Sequence, residues 1–87
     1  KKLLYFNGDG IGFGFDLIHS KKSIEFLNKL DELNTSLNCI TCPIKDSRLN
    51  AKVFSQQYKD YNLFKKKLSD FDPKRIFVSE LSKRLEL

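Results

Sequence analysis

The spacing of apolar residues changes along the chain. Leu3-Leu4-Tyr5-Phe6 is a short apolar run, and Asn7-Gly8-Asp9-Gly10 after it is a doubled turn signal. Ile11, Phe13, Phe15 and Leu17 then alternate with Gly12, Gly14, Asp16 and Ile18. A period of two predicts a half-buried strand, so the opening segment reads as a β-hairpin. One face of its second strand is apolar. The other lacks side chains at Gly12 and Gly14 and then carries the anion of Asp16. Glycine within a strand often marks the close approach of a ligand or another backbone; a plain solvent face or a bulge is the alternative.

From Ser20 the period lengthens. Phe26, Leu30, Leu33 and Leu37, flanked by Ile24 and Leu27, recur at helical spacing, with Lys22, Lys29 and Glu32 on the wet side. A helix over 20–34 is expected, capped by Ser20 or Ser23. Asn38 to Thr41 reads as a third strand stopped by Pro43. Leu49 to Tyr58 reads as a helix with Ala51, Phe54 and Tyr58 on one face. A second follows a break near Lys59-Asp60, with Tyr61, Phe64 and Leu68 on its apolar side. Asp72-Pro73 ends it, because proline restricts the residue before it. Ser79-Glu80 opens a last short helix through Leu85, with Lys83 and Arg84 where the helix dipole favours cations. The order β-β-α-β followed by helices predicts an α+β fold. The hairpin, helix and third strand form part of an antiparallel sheet, and C-terminal helices follow.

Composition narrows this picture. The chain has 87 residues, including eight Phe and three Tyr, so it has enough apolar surface to collapse as a single unit. A chain this short buries only about 60% of its unfolded surface, which keeps the core small. It contains no Met and opens on Lys1-Lys2, which reads as a piece of a longer protein. No signal-peptide or membrane-spanning pattern is present, and a cytoplasmic location is expected.

The net charge is +5, and Arg48, Arg75 and Arg84 are the only arginines among 16 basic residues. A base- or phosphate-reading surface leans on the arginine fork, so lysine-rich charge reads more simply as a solvated face. Gly8, Gly10, Gly12 and Gly14 fall at every second residue and match no nucleotide-binding loop. Cys39 and Cys42 form a C-x-x-C pair. A structural zinc site needs four ligands, and only His19 and carboxylates could complete one. A thiol redox pair wants a strand end that leads into a helix, whereas Pro43 and a charged segment follow here. Two unrelated thiols on a short strand and its exit loop are the simpler account, and no metal site is expected.

Two stretches carry a resemblance. Lys45-Asp46-Ser47-Arg48 and Asp72-Pro73-Lys74-Arg75-Ile76-Phe77-Val78-Ser79-Glu80-Leu81-Ser82-Lys83-Arg84-Leu85 resemble the C-terminal end of FAD-linked oxidases of the vanillyl-alcohol oxidase superfamily. They look most like the decaprenylphosphoryl-ribose oxidase branch, and the sugar-lactone oxidases are more distant. That family ends in a Lys-Asp-Ser-Arg loop, a helical stretch with Tyr-Pro, then Asp-Pro, a Phe, Ser-Asp and Arg-Arg-Leu. Here Tyr58 is followed by Lys59, and the tail reads Ser79-Glu80 and Lys83-Arg84-Leu85. The hairpin keeps only Gly10 and Asp16 of the family pattern.

The resemblance implies the C-terminal part of a flavoenzyme oxidising a sugar-like hydroxyl, inactive alone. Residues 1–44 would belong to the substrate domain, and 45–87 would be a helical tail returning to an upstream FAD-binding domain. Lys45 stands where the family has a ligand-contacting lysine; a cation there stabilises charge developing on the substrate oxygen. Gly12 and Gly14 match positions facing the substrate pocket, Asp16 keeps the family's acid, and Cys42 replaces a usual tyrosine. Asp46 and Arg48 are read as an ion pair that supports the loop. The implied cofactor is FAD, and the implied partners are a small alcohol or sugar and the chain's own FAD domain, with membrane association left open for the parent enzyme. The rival is a small basic module touching nucleic acid through Lys65–Lys67, Lys74, Arg75, Lys83 and Arg84. A third reading is a thiol redox module at Cys39 and Cys42.

Overall fold

The computed structural model describes residues 3–5, 8–12, 14–44 and 46–87. Helix α1 spans Lys21–Ser36. Ser20, in extended backbone, caps it by accepting from the Ser23 N–H at 3.1 Å. The helix stops at Asn38, whose φ of 58° is left-handed. The Cys39 N–H donates to Asn34 O at 2.8 Å and the Asn38 N–H to Thr35 O at 3.3 Å, so the last carbonyls are satisfied by a Schellman turn. Helix α2 spans Ala51–Gln57, with Asn50 accepting from the Val53 N–H at 2.9 Å. Helix α3 spans Tyr61–Phe71. Helix α4 spans Glu80–Arg84, opened by a capping box between Ser79 and Ser82.

The core lies in the second half of the chain. Leu49, Phe54 and Leu85 are fully buried, with Ala51, Tyr58 and Tyr61 nearly so. The Phe54 ring lies 4.4 Å from Tyr58 and meets Tyr61 edge-on at 5.6 Å. Leu4, Ile40, Val53, Leu81 and Leu87 pack around this cluster. The Tyr61 hydroxyl donates to Leu85 O at 2.7 Å and fixes the C-terminal turn to α3.

The expected α+β fold is not found: among the described residues there is no strand, and every element is helical. The reason is clearest at the expected third strand. The Cys39 N–H is used by the turn that ends α1, the Thr41 N–H donates to Gln57 Oε1 at 2.7 Å, and Thr41 O accepts from the Tyr58 hydroxyl at 3.0 Å. Side chains of α2 and its C-cap take the groups a ladder would need. The described part of the expected hairpin is exposed from residue 8 to residue 19 and forms no strand. Its four glycines raise the entropy cost of an extended conformation, and no second strand offers hydrogen bonds to offset it. The expected hairpin positions Phe6, Asn7 and Phe13, and the loop residue Lys45, lie outside the described residues.

Helix α1 also turns a different face inward. Phe26 and Leu33 are 52% exposed and Leu37 is 62% exposed. The half-buried side keeps Leu30 and the flanking Ile24 and Leu27 of the expected stripe and adds Asn34 and Thr35 around Asp31, which is 5% exposed. The helix carries apolar residues on two sides, and the second half of the chain covers the side on which Asp31 meets its cation.

Candidate functional site

The segment joining α1 to α2 contains the Lys-Asp-Ser-Arg loop. Asp46 starts the described part by folding back on its own chain. Its Oδ1 accepts from the N–H groups of Arg48 at 2.8 Å and Leu49 at 3.1 Å, a local turn that aspartate favours because its side chain mimics a backbone carbonyl. This directs the Arg48 guanidinium onto α1. Nη1 lies 2.7 Å from Asp31 Oδ2 and Nη2 lies 3.0 Å from Asp31 Oδ1, a two-pronged contact. Nη1 also donates to Asn28 Oδ1 at 2.8 Å, and Nη2 reaches Asp46 Oδ2 at 3.3 Å. The hydrogen bond to Asp31 raises the Arg48 pKa, and the charges of Asp31 and Asp46 add to it against the opposing loss of water. Arg48 Nε is buried without a partner.

Arg84 approaches the same loop from α4. Its Nη1 donates to Leu49 O and its Nη2 to Pro43 O at 3.1 Å. Between the loop and α4 lies an open hollow of about 500 Å³ lined by Pro43, Ile44, Ser47, Glu80, Leu81 and Arg84. A second hollow of about 380 Å³ lies where the end of α1 meets α2, with Thr35, Cys39, Gln57 and Tyr58 on its wall. Burial there pushes the Tyr58 phenol up to about 12, with a smaller contribution from the neighbouring Cys42.

Lys45, the expected catalytic cation, lies outside the described residues. Asp46 and Arg48 form the expected ion pair at 3.3 Å, but Asp31 is the closer and two-pronged partner. Cys42 is half-buried and Cys39 exposed, both as free thiols. The remaining expected site residues are not gathered with the loop. Gly12 and Gly14 are exposed, with nothing within 4 Å of where a Cβ would stand, and exposed Asp16 forms no ion pair with a described residue. Among the described residues, no group of His, Cys, Asp and Glu could hold a metal ion, and no helix is long and apolar enough to cross a membrane.

The proposed nucleic-acid face loses members to internal contacts. Arg75 donates to Leu87 O, Arg84 is used by the loop shoulders, Lys83 pairs with Glu80 at 3.3 Å, and Lys65 lies 5.8 Å from the centre of the Tyr61 ring. Lys66, Lys67 and Lys74 remain exposed without an ion pair among the described residues.

Sequence reasoning missed Asp31 and Asn28, and it placed Arg84 at a helix end and on a nucleic-acid face, not against the loop. Asp31 had a usable signal: it falls four residues after Leu27 and four before Thr35, on one helix face. An acid in the middle of a half-buried face asks for a cation. No comparable pattern marks Arg84, whose partners are backbone carbonyls. Comparison of the chain with protein-family models, with curated proteins and with solved structures found no match.

Proposed function

We propose that this chain is the C-terminal part of an FAD-dependent oxidoreductase that oxidises a hydroxyl of a sugar or sugar-lactone-like molecule. The reading starts from the resemblance at Lys45–Arg48 and Asp72–Leu85. It is supported by the frame around the loop. Three charged side chains (Asp31, Asp46 and Arg48) hold the described end of the loop, residues 46–49, against α1. A plain connection needs no such frame, whereas a reacting group must be held to well under an ångström.

In this reading a flavin would supply the hydride-accepting chemistry, and the resemblance assigns its binding to an upstream domain. Lys45 supplies a cation beside the substrate oxygen, stabilising negative charge as the hydroxyl proton leaves. Gly12, Gly14, Asp16 and Cys42 belong to the wall of the same pocket. The exposed apolar rows at Ile11, Phe15, Leu17 and Ile18 and on the outer side of α1 suit cover by further protein.

The test is to express this segment with the reading frame upstream of it. The reading expects a yellow protein whose flavin absorbance bleaches when a sugar or lactone substrate is added without oxygen. Lys45→Met should retain the flavin and slow bleaching by about 10²–10³-fold, the usual loss for one charge-stabilising donor. An upstream frame that binds no flavin, or Lys45→Met at the wild-type rate, refutes the reading.

A further inference from the structure

Arg84 makes contacts that neither a surface cation nor a helix-end charge would make. The two carbonyls it binds, Pro43 O and Leu49 O, are the shoulders of the Lys-Asp-Ser-Arg loop. Arg48 holds the inside of the loop against α1; Arg84 holds its outer span. The two act on different atoms and come from opposite ends of the fold. A planar guanidinium can donate to two carbonyls in one plane, whereas an ammonium is a single point donor.

The short helix α4 is itself firmly fixed. Its capping box closes the first turn, Leu85 at its end is buried, and the Tyr61 hydroxyl holds Leu85 O. The Leu87 N–H donates to Ser82 O at 2.8 Å, and Arg75 donates to Leu87 O. A helix of this length is not stable alone, so these anchors are what aim the Arg84 fork. We propose that Arg84 is a positioning residue that sets the span of the Pro43–Leu49 loop from the C-terminal helix. The geometry of this proposal is independent of flavin. Only its functional weight rests on the reading of Lys45 given above.

Amide hydrogen exchange on the 87-residue chain tests it. The reporting amides are Arg48 and Leu49, both held by Asp46, and the control amides are Phe64 and Asp72 at the ends of α3. Arg84→Ala and Arg84→Lys should each speed exchange at Arg48 and Leu49 by about tenfold or more, with Phe64 and Asp72 unchanged. Arg84→Lys is the decisive variant, since it keeps the charge and the long stem and removes only the fork. Wild-type loop protection in Arg84→Lys, or acceleration shared equally by the α3 amides, overturns the proposal. An upstream frame without flavin would instead remove the oxidoreductase reading and leave the exchange result standing.

Discussion

Replacing Arg48 by methionine removes the cation that faces Asp31 and leaves a carboxylate that is 5% exposed in the middle of α1. Two unit charges about 4 Å apart attract by about 4 kcal/mol at an effective dielectric near 20. Stripping one partner from a buried pair costs about 3–5 kcal/mol, because the remaining charge stays desolvated. The Arg48 side chain is 18% exposed, so water reaches part of this pair. We expect Arg48→Met to cost about 2–3 kcal/mol, below the fully buried range. Stability of roughly 0.05–0.15 kcal/mol per residue gives a chain of this length only about 4–13 kcal/mol to lose. Asp31→Leu should cost a similar amount, and the double variant less than the sum, with a coupling of about 2 kcal/mol. Urea unfolding followed by far-ultraviolet circular dichroism measures all four corners of the cycle. A coupling below about 0.5 kcal/mol, typical of an exposed pair, would show that the Arg48–Asp31 contact does not hold the loop to α1.

Two further outcomes follow from the geometry. Tyr58 has a folded pKa of about 12, above the ordinary tyrosine value of about 10. The stability it contributes is therefore complete below about pH 10 and is lost as pH rises through about 12. Alkaline titration should show phenolate absorbance from Tyr58 appearing together with loss of helix, and Tyr58→Phe should remove that phase; Tyr58 ionising near pH 10 with the helices intact contradicts this account. Glu86 holds φ at 55° in the turn that closes α4, a conformation that glycine adopts without a Cβ clash. Glu86→Gly should raise stability by about 1 kcal/mol, read as a higher urea midpoint, and a lower midpoint would mean that the Glu86 side chain supplies something this geometry does not show.

The helices were legible because their signals are local. Ser20 and Ser79 stand before helical runs, and Phe54, Tyr58 and Tyr61 recur on one side, so these start points and the core face followed from spacing, whereas the Asn50 cap of α2 did not. The strands were misread because alternation specifies which residues share a face but supplies no partner. At Thr41 both backbone groups are taken by Gln57 and Tyr58, a competition between residues sixteen and seventeen apart that no local pattern reveals. The face of α1 was misread for a related reason. Phe26, Leu30, Leu33 and Leu37 form a good apolar row, but Asp31 pairs with Arg48 and rotates the helix so that its Ile24–Leu27–Leu30 flank turns inward while Phe26, Leu33 and Leu37 stay exposed. The loop was legible only as a sequence resemblance, since its two clamps reach it from α1 and from α4.

The reach of Arg84 has a consequence for biosynthesis. Pro43 is translated 41 residues before the arginine that binds its carbonyl. At about 5–20 residues per second, that is roughly 2–8 s of ribosome travel. Throughout that interval the nascent polypeptide holds the segment by the Arg48–Asp31 pair and by the Gln57 and Tyr58 contacts to Thr41, without the Arg84 clamp. A premature stop codon between α2 and position 84 would therefore release a product that carries the Arg48–Asp31 pair but whose Pro43 and Leu49 carbonyls are never joined.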